Sequence, residues 1–233
     1  MKSLVKHLVD NNLEEIVEKS FLNCHTKGLH SVMLLDAPGK TIRLFISEPR
    51  SEMSKNTIEQ FKDGVPLSIA FHSHHCDITI KCIFGIIKNW KVSELPNSDS
   101  ANSDNSFVRP KNSAPQELLP EDLTVSKYRY KSAILDGEIK FEKLCDSSLR
   151  TISIVTAHPG IVIPMKAHEI HTVSTDKSRI CAWLVYEGKE DESYEKACFS
   201  NTDPNTSEFK NELYKKPTSE EVIGLLKMVH LLN

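Results

Sequence analysis

The segment His72-Ser73-His74-His75 has the residue types and the spacing that a metal site needs. Side chains alternate between the two faces of a β-strand, so His72 and His74 point to one side while Ser73 and His75 point to the other. Two imidazoles about 7 Å apart along one face can converge on a single ion. This spacing is compatible with a metal site, but it also occurs in pairs of core or surface histidines, so the rest of the sequence has to decide between these interpretations.

A second histidine-bearing segment lies far downstream and contains His168, Glu169 and His171. Within it, His171 follows Gly160 by eleven residues. The first segment also leads to a glycine, because Gly85 stands eleven residues after its second histidine. The chain therefore has two separate blocks in which histidine and glycine are held at fixed spacing.

The first block resembles motif 1 of the cupin superfamily, G-x5-H-x-H-x3-E-x6-G. His72, His74 and Gly85 are in register with that motif, whereas Pro66 replaces its first glycine and Ile78 replaces its glutamate. The resemblance implies a mainly β fold, a cupin-type double-stranded β-helix barrel or jelly roll, that holds a metal through its histidines.

The second block resembles cupin motif 2, G-x5-P-x-G-x2-H-x3-N, with Gly160 and His171 in register. Residues of other types stand at its Pro, Gly and Asn positions, namely Lys166, His168 and Thr175. His171 fits the spacing from Gly160, so we favour it as the third ligand. His168 is the alternative, which requires the strand to begin three residues earlier. Otherwise His168 and Glu169 are candidates for groups around the metal that hydrogen-bond a ligand.

Ile78 at the carboxylate position leaves three neutral imidazoles around the metal, and a divalent ion there has a net charge of about +2. Such a site favours anionic ligands, notably thiolates. Within the cupin superfamily, the chain is most similar to the thiol dioxygenases, the cysteine and cysteamine dioxygenases, which bind Fe(II) through three histidines. By this resemblance Tyr186 matches an active-site tyrosine, whereas Ala182 and Leu184 replace the Ser and His that orient it.

The resemblance implies an Fe(II) enzyme that oxidises a small thiol with O2 to a sulfinate, with Tyr186 as a hydrogen-bond donor. Ni, Mn or Zn are the alternative metals. The family's substrate-binding arginine has no counterpart, because Ser31 or Val32 falls at its position and Arg43 lies beyond the next turn. A non-catalytic cupin that binds a metal or a small molecule therefore remains the alternative. An isomerase or hydrolase is a third option, with only Glu169 and His168 as an acid/base pair.

Composition excludes several other classes of protein. The 233 residues have 29 basic and 32 acidic side chains, a net charge of −3, and this mixture gives no basic face for nucleic acid. No apolar run approaches the roughly 20 residues of a membrane span. The six cysteines are scattered, which is typical of reduced thiols in a cytoplasmic protein. A homodimer is compatible with this composition.

Hydrophobic patterning predicts a barrel or sandwich of short strands with a helix at each end, and the cupin resemblance implies a single cupin-like domain over residues 1–233. An N-terminal helix is expected within 1–28, the barrel within 29–92 and 126–190, and a tail with a C-terminal helix within 201–233. Residues 93–125 lack periodicity and read as a loop insertion between the two motifs. Thr218 and Glu221 form the capping-box pattern that opens the last helix.

Overall fold

The computed structural model describes residues 1–49, 51, 71–95, 122–130, 141–176, 178–191, 193, 196–205 and 213–232. Pro66 and most of the predicted insertion at 93–125 lie outside these residues. Within the predicted barrel segments 29–92 and 126–190, residues 50, 52–70, 131–140 and 177 lie outside the described part of the chain.

A helix lies near each end of the chain, as the patterning predicts. Helix α1 spans Lys2–Lys19, with a non-helical backbone at Asn12. Helix α2 spans Ser219–Met228, and Thr218 and Glu221 form the reciprocal capping box at its start. Within the described residues, neither helix combines the length and the apolar character needed to cross a membrane.

The described chain forms eleven strands that hydrogen-bond in two antiparallel sheets. They are β1 Leu29–Ala37, β2 Lys40–Ser47, β3 Phe71–His72, β4 Ile78–Phe84, β5 Ile87–Glu94, β6 Leu123–Tyr130, β7 Phe141–Ala157, β8 Val162–Met165, β9 Ile170–Thr175, β10 Cys181–Glu187 and β11 Ala197–Ser200. The five-stranded sheet has the order β1-β2-β10-β4-β8. The other six strands, in the order β11-β3-β9-β5-β7-β6, form a sheet that closes where β11 pairs with β6.

The chain passes repeatedly from one sheet to the other, as a double-stranded β-helix requires. Strands β2 to β5 alternate between the two sheets, and so do β7 to β11. The predicted fold class is confirmed at this level: a mainly β protein of two antiparallel sheets, wound in the cupin manner, with α-helices flanking it.

Alternation along the strands sorts most of the core into three apolar layers, and a small fourth cluster contains Tyr128 and Cys198. The helices cover the outer face of the five-stranded sheet, where Leu44 and Ile46 are buried. Between the two sheets, Ile87 and Val173 of the closed sheet pack with Trp183 and other residues of the five-stranded sheet. A third cluster, which includes Phe71 and Phe199, consists of residues of the closed sheet alone. The space between the sheets is the one that matters for the candidate site.

Hydrophobic patterning predicts one strand over 78–92 and two separate strands before and after 145–149, and the structure corrects both predictions. The run 78–92 is divided between β4 and β5, which belong to different sheets, because the chain turns at Gly85 with φ +74°. A Cβ on Gly85 would lie 2.6 Å from Cys181 Sγ and 2.7 Å from the Ile180 carbonyl oxygen, so only glycine fits this crossing. In contrast, the predicted strands before and after 145–149 form one strand, β7.

Candidate metal centre

Strand pairing brings the three predicted histidines together. His72 ends β3 and stands directly opposite His171 of β9, so their side chains share a face. His74 follows β3, and its backbone N–H donates to the carbonyl of Ala167 at 2.9 Å, which ties it to the segment before β9. Val173 on the same face of β9 packs in the layer between the sheets. The histidine cluster therefore lies on the face of the closed sheet that looks toward the five-stranded sheet.

The distances within this cluster fit one metal ion. One ligand nitrogen from each of His72, His74 and His171 lies within 4.8 Å of the other two. His74 Nε2 and His171 Nε2 are 2.9 Å apart. An ion with metal–nitrogen distances of about 2.1 Å holds two ligands at right angles about 3 Å apart. The two imidazoles thus already have the separation of neighbouring ligands on one ion.

Asn89 fixes the orientation of His171. The Asn89 side chain is fully buried on β5, and its Oδ1 lies 2.7 Å from His171 Nδ1. Its amide nitrogen faces Met165 Sδ at 3.5 Å. With Oδ1 as acceptor, His171 has its proton on Nδ1 and presents the lone pair of Nε2, the form that a metal ligand needs. His72 Nδ1, in contrast, is buried without a hydrogen-bond partner among the residues that the structure describes.

Burial favours the neutral imidazoles that bind metals. It lowers the pKa of His171 to about 4, with a further contribution from the positive charge of Lys91 that Glu169 opposes. The pKa values of His72 and His74 are also well below the ordinary value, first through burial and then through the neighbouring histidines and Lys196. All three imidazoles are therefore neutral near pH 7, each with one N–H and one lone pair.

The carboxylates nearest in sequence to these histidines have cationic partners. Glu169 accepts from Lys91 Nζ at 2.8 Å and from the backbone N–H of Lys166 at 2.7 Å. Asp77 accepts from Lys166 Nζ at 2.6 Å. Among the described residues, neither carboxylate belongs to the three-histidine group. The structure therefore gives the all-imidazole ligand set that Ile78 predicts.

Thiols next to the centre are held in their neutral form. Cys198 stands opposite His72 on β11 and is fully buried. Burial raises the pKa of Cys198, like that of Cys24, to about 12. Because a metal binds the thiolate, these thiols are poor ligands in this environment.

The remaining predicted site residues lie elsewhere. His168 is exposed, and it is not part of the three-histidine group. Tyr186 is 37% exposed near the end of β10. Because side chains alternate along a strand, it lies on the same face as Ala182 and Leu184, which pack beneath the helices. Trp183 and Val185 point instead into the layer between the sheets. This placement argues against the predicted role of Tyr186 as a hydrogen-bond donor at the metal.

Two residues beside the cluster come from outside the cupin-like motifs. His25, in the segment after α1, stacks on His72 with ring centroids 5.1 Å apart and an angle of 26°. Tyr214, in the segment before α2, lies with its hydroxyl oxygen 2.6 Å from His25 Nδ1. Neither residue has a sequence signal, because a single His or Tyr in a polar segment predicts no partner. Asn89, in contrast, does have a sequence signal, because an Asn in an apolar strand requires a buried polar partner.

Low pH should destabilise the metal-free protein through His171. The pKa of His171 in the folded state, about 4, lies below the ordinary 6.5, so its stabilising effect is complete above pH 6.5 and is lost as the pH falls toward 4. As the pH falls from 6.5 toward 4, one histidine with such a lowered pKa decreases the free energy of unfolding by up to about 1.4 kcal/mol per pH unit. Urea unfolding of chelator-treated protein between pH 7 and 4.5 measures this slope. We expect the free energy of unfolding to depend less steeply on pH in His171→Leu than in the control His158→Ala, which changes an exposed histidine. Equal pH dependence in the two variants would contradict the lowered pKa of His171.

Comparisons with known proteins give only distant similarities. No protein-family model and no curated protein matches the sequence. Among solved structures, the hydroquinone 1,2-dioxygenase of Sphingomonas sp. TTNP3 with bound 4-hydroxybenzoate is 11% identical, with a TM-score of 0.35 and coverage of 77% of this chain and 73% of that one. The hydroxypropylphosphonic acid epoxidase of S. wedmorenis is 8% identical, with a TM-score of 0.34 and coverage of 73% and 56%. The polyketide cyclase RemF of Streptomyces resistomycificus is 14% identical, with a TM-score of 0.34 and coverage of 83% and 92%. These scores are too low to support any argument about function, which depends on the site itself.

Proposed function

We propose that this protein is a metal-dependent cupin that oxidises a small thiol to a sulfinate, with Fe(II) held by His72, His74 and His171. The observation that carries the proposal is the cluster of three neutral imidazoles, without a carboxylate among the described residues. Iron supplies the redox chemistry when bound, and the protein supplies geometry and charge. The reaction balances as R–SH + O2 → R–SO2− + H+, in which the sulfur is oxidised and both oxygen atoms enter the product.

The charges around the centre support an anionic substrate group. Three neutral ligands leave the charge of a divalent ion uncompensated, so a thiolate is attracted to it. Lys196 directly precedes Ala197, whose carbonyl accepts from the Ser73 backbone N–H at 2.9 Å, and this places the lysine near the histidines. Its positive charge contributes to the lowered pKa values of His72 and His74. A thiol that binds here is thus favoured in its ionised form.

The apolar layer between the sheets supports the same proposal. Asn89 keeps His171 Nε2 directed at the ion, while Met165 and Trp183 are buried between the sheets beyond it. Such a lining excludes water from one side of the centre and strengthens electrostatic interactions there. The chain's own residues would therefore orient the ligands and hold the thiolate.

A non-catalytic metal-binding cupin is the second candidate. The observation that favours it is the position of Tyr186 on the outer face, together with the helix-covered Ala182 and Leu184. In this case the site binds the ion and a small anion, and no oxidation follows. Three expectations stay predictions whichever function holds: a cytoplasmic location, no nucleic-acid partner, and a homodimer.

Oxygen consumption distinguishes the two functions. Protein loaded with Fe(II) without oxygen is mixed with cysteine, cysteamine, mercapto acids or peptides that begin with cysteine. We expect one O2 consumed per thiol and a product that mass spectrometry shows to contain two more oxygen atoms, with His171→Ala inactive and His158→Ala equal to wild type. Metal binding without uptake for any thiol would favour the binding protein. Iron, nickel, manganese and zinc contents well below one per chain, unchanged in His72→Ala, would contradict both.

A further inference from the structure

His72 differs from His171 in how its ring is held. A metal-binding histidine usually has a hydrogen-bond partner on its other nitrogen that fixes the ring. Asn89 fixes the His171 ring in this way, whereas no hydrogen bond at the buried Nδ1 fixes the His72 ring among the described residues. The group packed against the His72 ring is instead another imidazole, that of His25, nearly parallel to it.

The His25 ring is in turn held by Tyr214. The tyrosine hydroxyl and His25 Nδ1 share a hydrogen bond of 2.6 Å, and the two rings meet edge to face at 5.7 Å. The Tyr214 ring also contacts Phe21 edge to face at 5.9 Å. These contacts fix both the position and the rotation of the imidazole that covers His72.

The backbone around these two residues is strained in a way that places them together. His25 and Tyr214 have φ values of +67° and +55°, and Asn23, two residues before His25, has +52°. Such conformations are unfavourable for residues other than glycine and concentrate at functional sites. The segments are joined by hydrogen bonds between the Leu22 and Lys215 backbones and from the Tyr214 N–H to the Asn23 carbonyl. The left-handed residues are thus part of the contact that brings His25 to the metal centre.

We propose that His25 and Tyr214 form a positioning pair for the metal ligand His72: the Tyr214 hydroxyl fixes the His25 ring, and that ring fixes the plane of His72 by stacking. The proposal rests on the metal site of the proposed function but not on the thiol reaction. It also assigns a role to the segments beside the two helices, which lie outside residues 29–187, where the cupin resemblance is found. The first and last parts of the chain then complete the centre that the barrel begins.

A double-mutant cycle read out by Co(II) binding tests this pair. Co(II) is added to full-length metal-free protein, and its visible absorption gives both the dissociation constant and the ligand geometry. We expect Tyr214→Phe, which keeps the ring but removes the hydroxyl, to weaken Co(II) binding by about tenfold and to shift the spectrum. In a His25→Phe background the hydroxyl has no nitrogen to bind, so the same change should alter the dissociation constant less than about twofold.

The controls separate positioning from general destabilisation. His158→Phe, at an exposed histidine, should bind Co(II) as the wild type does, and urea unfolding should show that Tyr214→Phe retains its fold. An unchanged dissociation constant and spectrum in Tyr214→Phe would overturn the proposal, and so would an equal loss in both backgrounds. If His25→Phe does not fold, Tyr214→Phe alone decides between these results. Failure of the wild type to bind Co(II) would overturn the metal site and this proposal together, whereas a lack of thiol oxidation with intact binding would contradict the proposed reaction alone.

Discussion

His74→Ala should reduce the metal content of the purified protein from near one ion per chain to below about a tenth. His74 Nε2 lies 2.9 Å from His171 Nε2, so its loss leaves only two ligands on the ion and opens that side to water. Thiol-dependent oxygen uptake should fall by more than about 100-fold, beyond the 10–100-fold that loss of an outer partner of a ligand costs. Elemental analysis after dialysis against a weak chelator, together with oxygen-electrode rates, measures both quantities.

Two further variants provide intermediate and unchanged metal binding for comparison with His74→Ala. Asn89→Leu keeps all three histidines but removes the hydrogen bond to His171 Nδ1 and the contact with Met165 Sδ, so we expect metal affinity about 10–100-fold lower than in the wild type, between the wild type and His74→Ala. His158→Ala removes an exposed imidazole on the segment after β7 and should leave the metal content unchanged. Equal metal contents in His74→Ala and His158→Ala would show that the cluster does not bind the ion.

Gly85→Ala should be the most destabilising single-methyl change at the sheet crossing. The added Cβ would meet the Ile180 carbonyl oxygen at 2.7 Å, and a backbone atom cannot move aside as a side-chain end can. The positive φ adds a conformational cost, so we expect a loss of about 2–4 kcal/mol in the free energy of unfolding. Because β5 starts two residues later and carries Asn89, metal affinity should fall as well. Urea unfolding and a metal titration measure the two effects.

Gly224→Ala is the matched control for this substitution. Gly224 lies inside helix α2, and a Cβ there has no atom within 4 Å. The same methyl group should therefore stabilise the protein by about 0.5–1 kcal/mol, because glycine is a poor helix former. If both variants lose similar stability, the close approach of Gly85 to Ile180 is not the cause.

The three histidines of the candidate metal centre were predictable from the H-x-H spacing together with the resemblance to the two cupin motifs. Strand alternation predicts that His72 and His74 share a face, although β3 ends at His72 and His74 follows it, and the spacing of the motif 2 resemblance favours His171 over His168. The structure places those three together and leaves His168 exposed. The capping box at Thr218 is similarly local, and it starts helix α2 where the sequence indicates.

Groups that depend on long-range packing could not be predicted in this way. His25 and Tyr214 are 189 residues apart, and they meet only because two segments outside the barrel pair with each other. Tyr186 illustrates the opposite case: its position matches an active-site tyrosine in the resemblance, but its side chain lies on the outer face with those of Ala182 and Leu184. Which face of β10 looks inward is set by the pairing of β10 with β2 and β4, not by the residue's own type.

The strand edges of the two sheets have a consequence for aggregation. The six-stranded sheet closes through β6 and β11, so its hydrogen-bonded order has no free edge. On the outer edge of β1, the backbone of Ser31 exchanges two N–H···O=C hydrogen bonds of 2.8 Å with the backbone of Phe21. At the opposite edge, β8 contains Pro164, which has no N–H to offer an incoming strand. Among the strands that the structure describes, these features limit pairing with other chains, and sheet extension through these edges is disfavoured while the fold is intact.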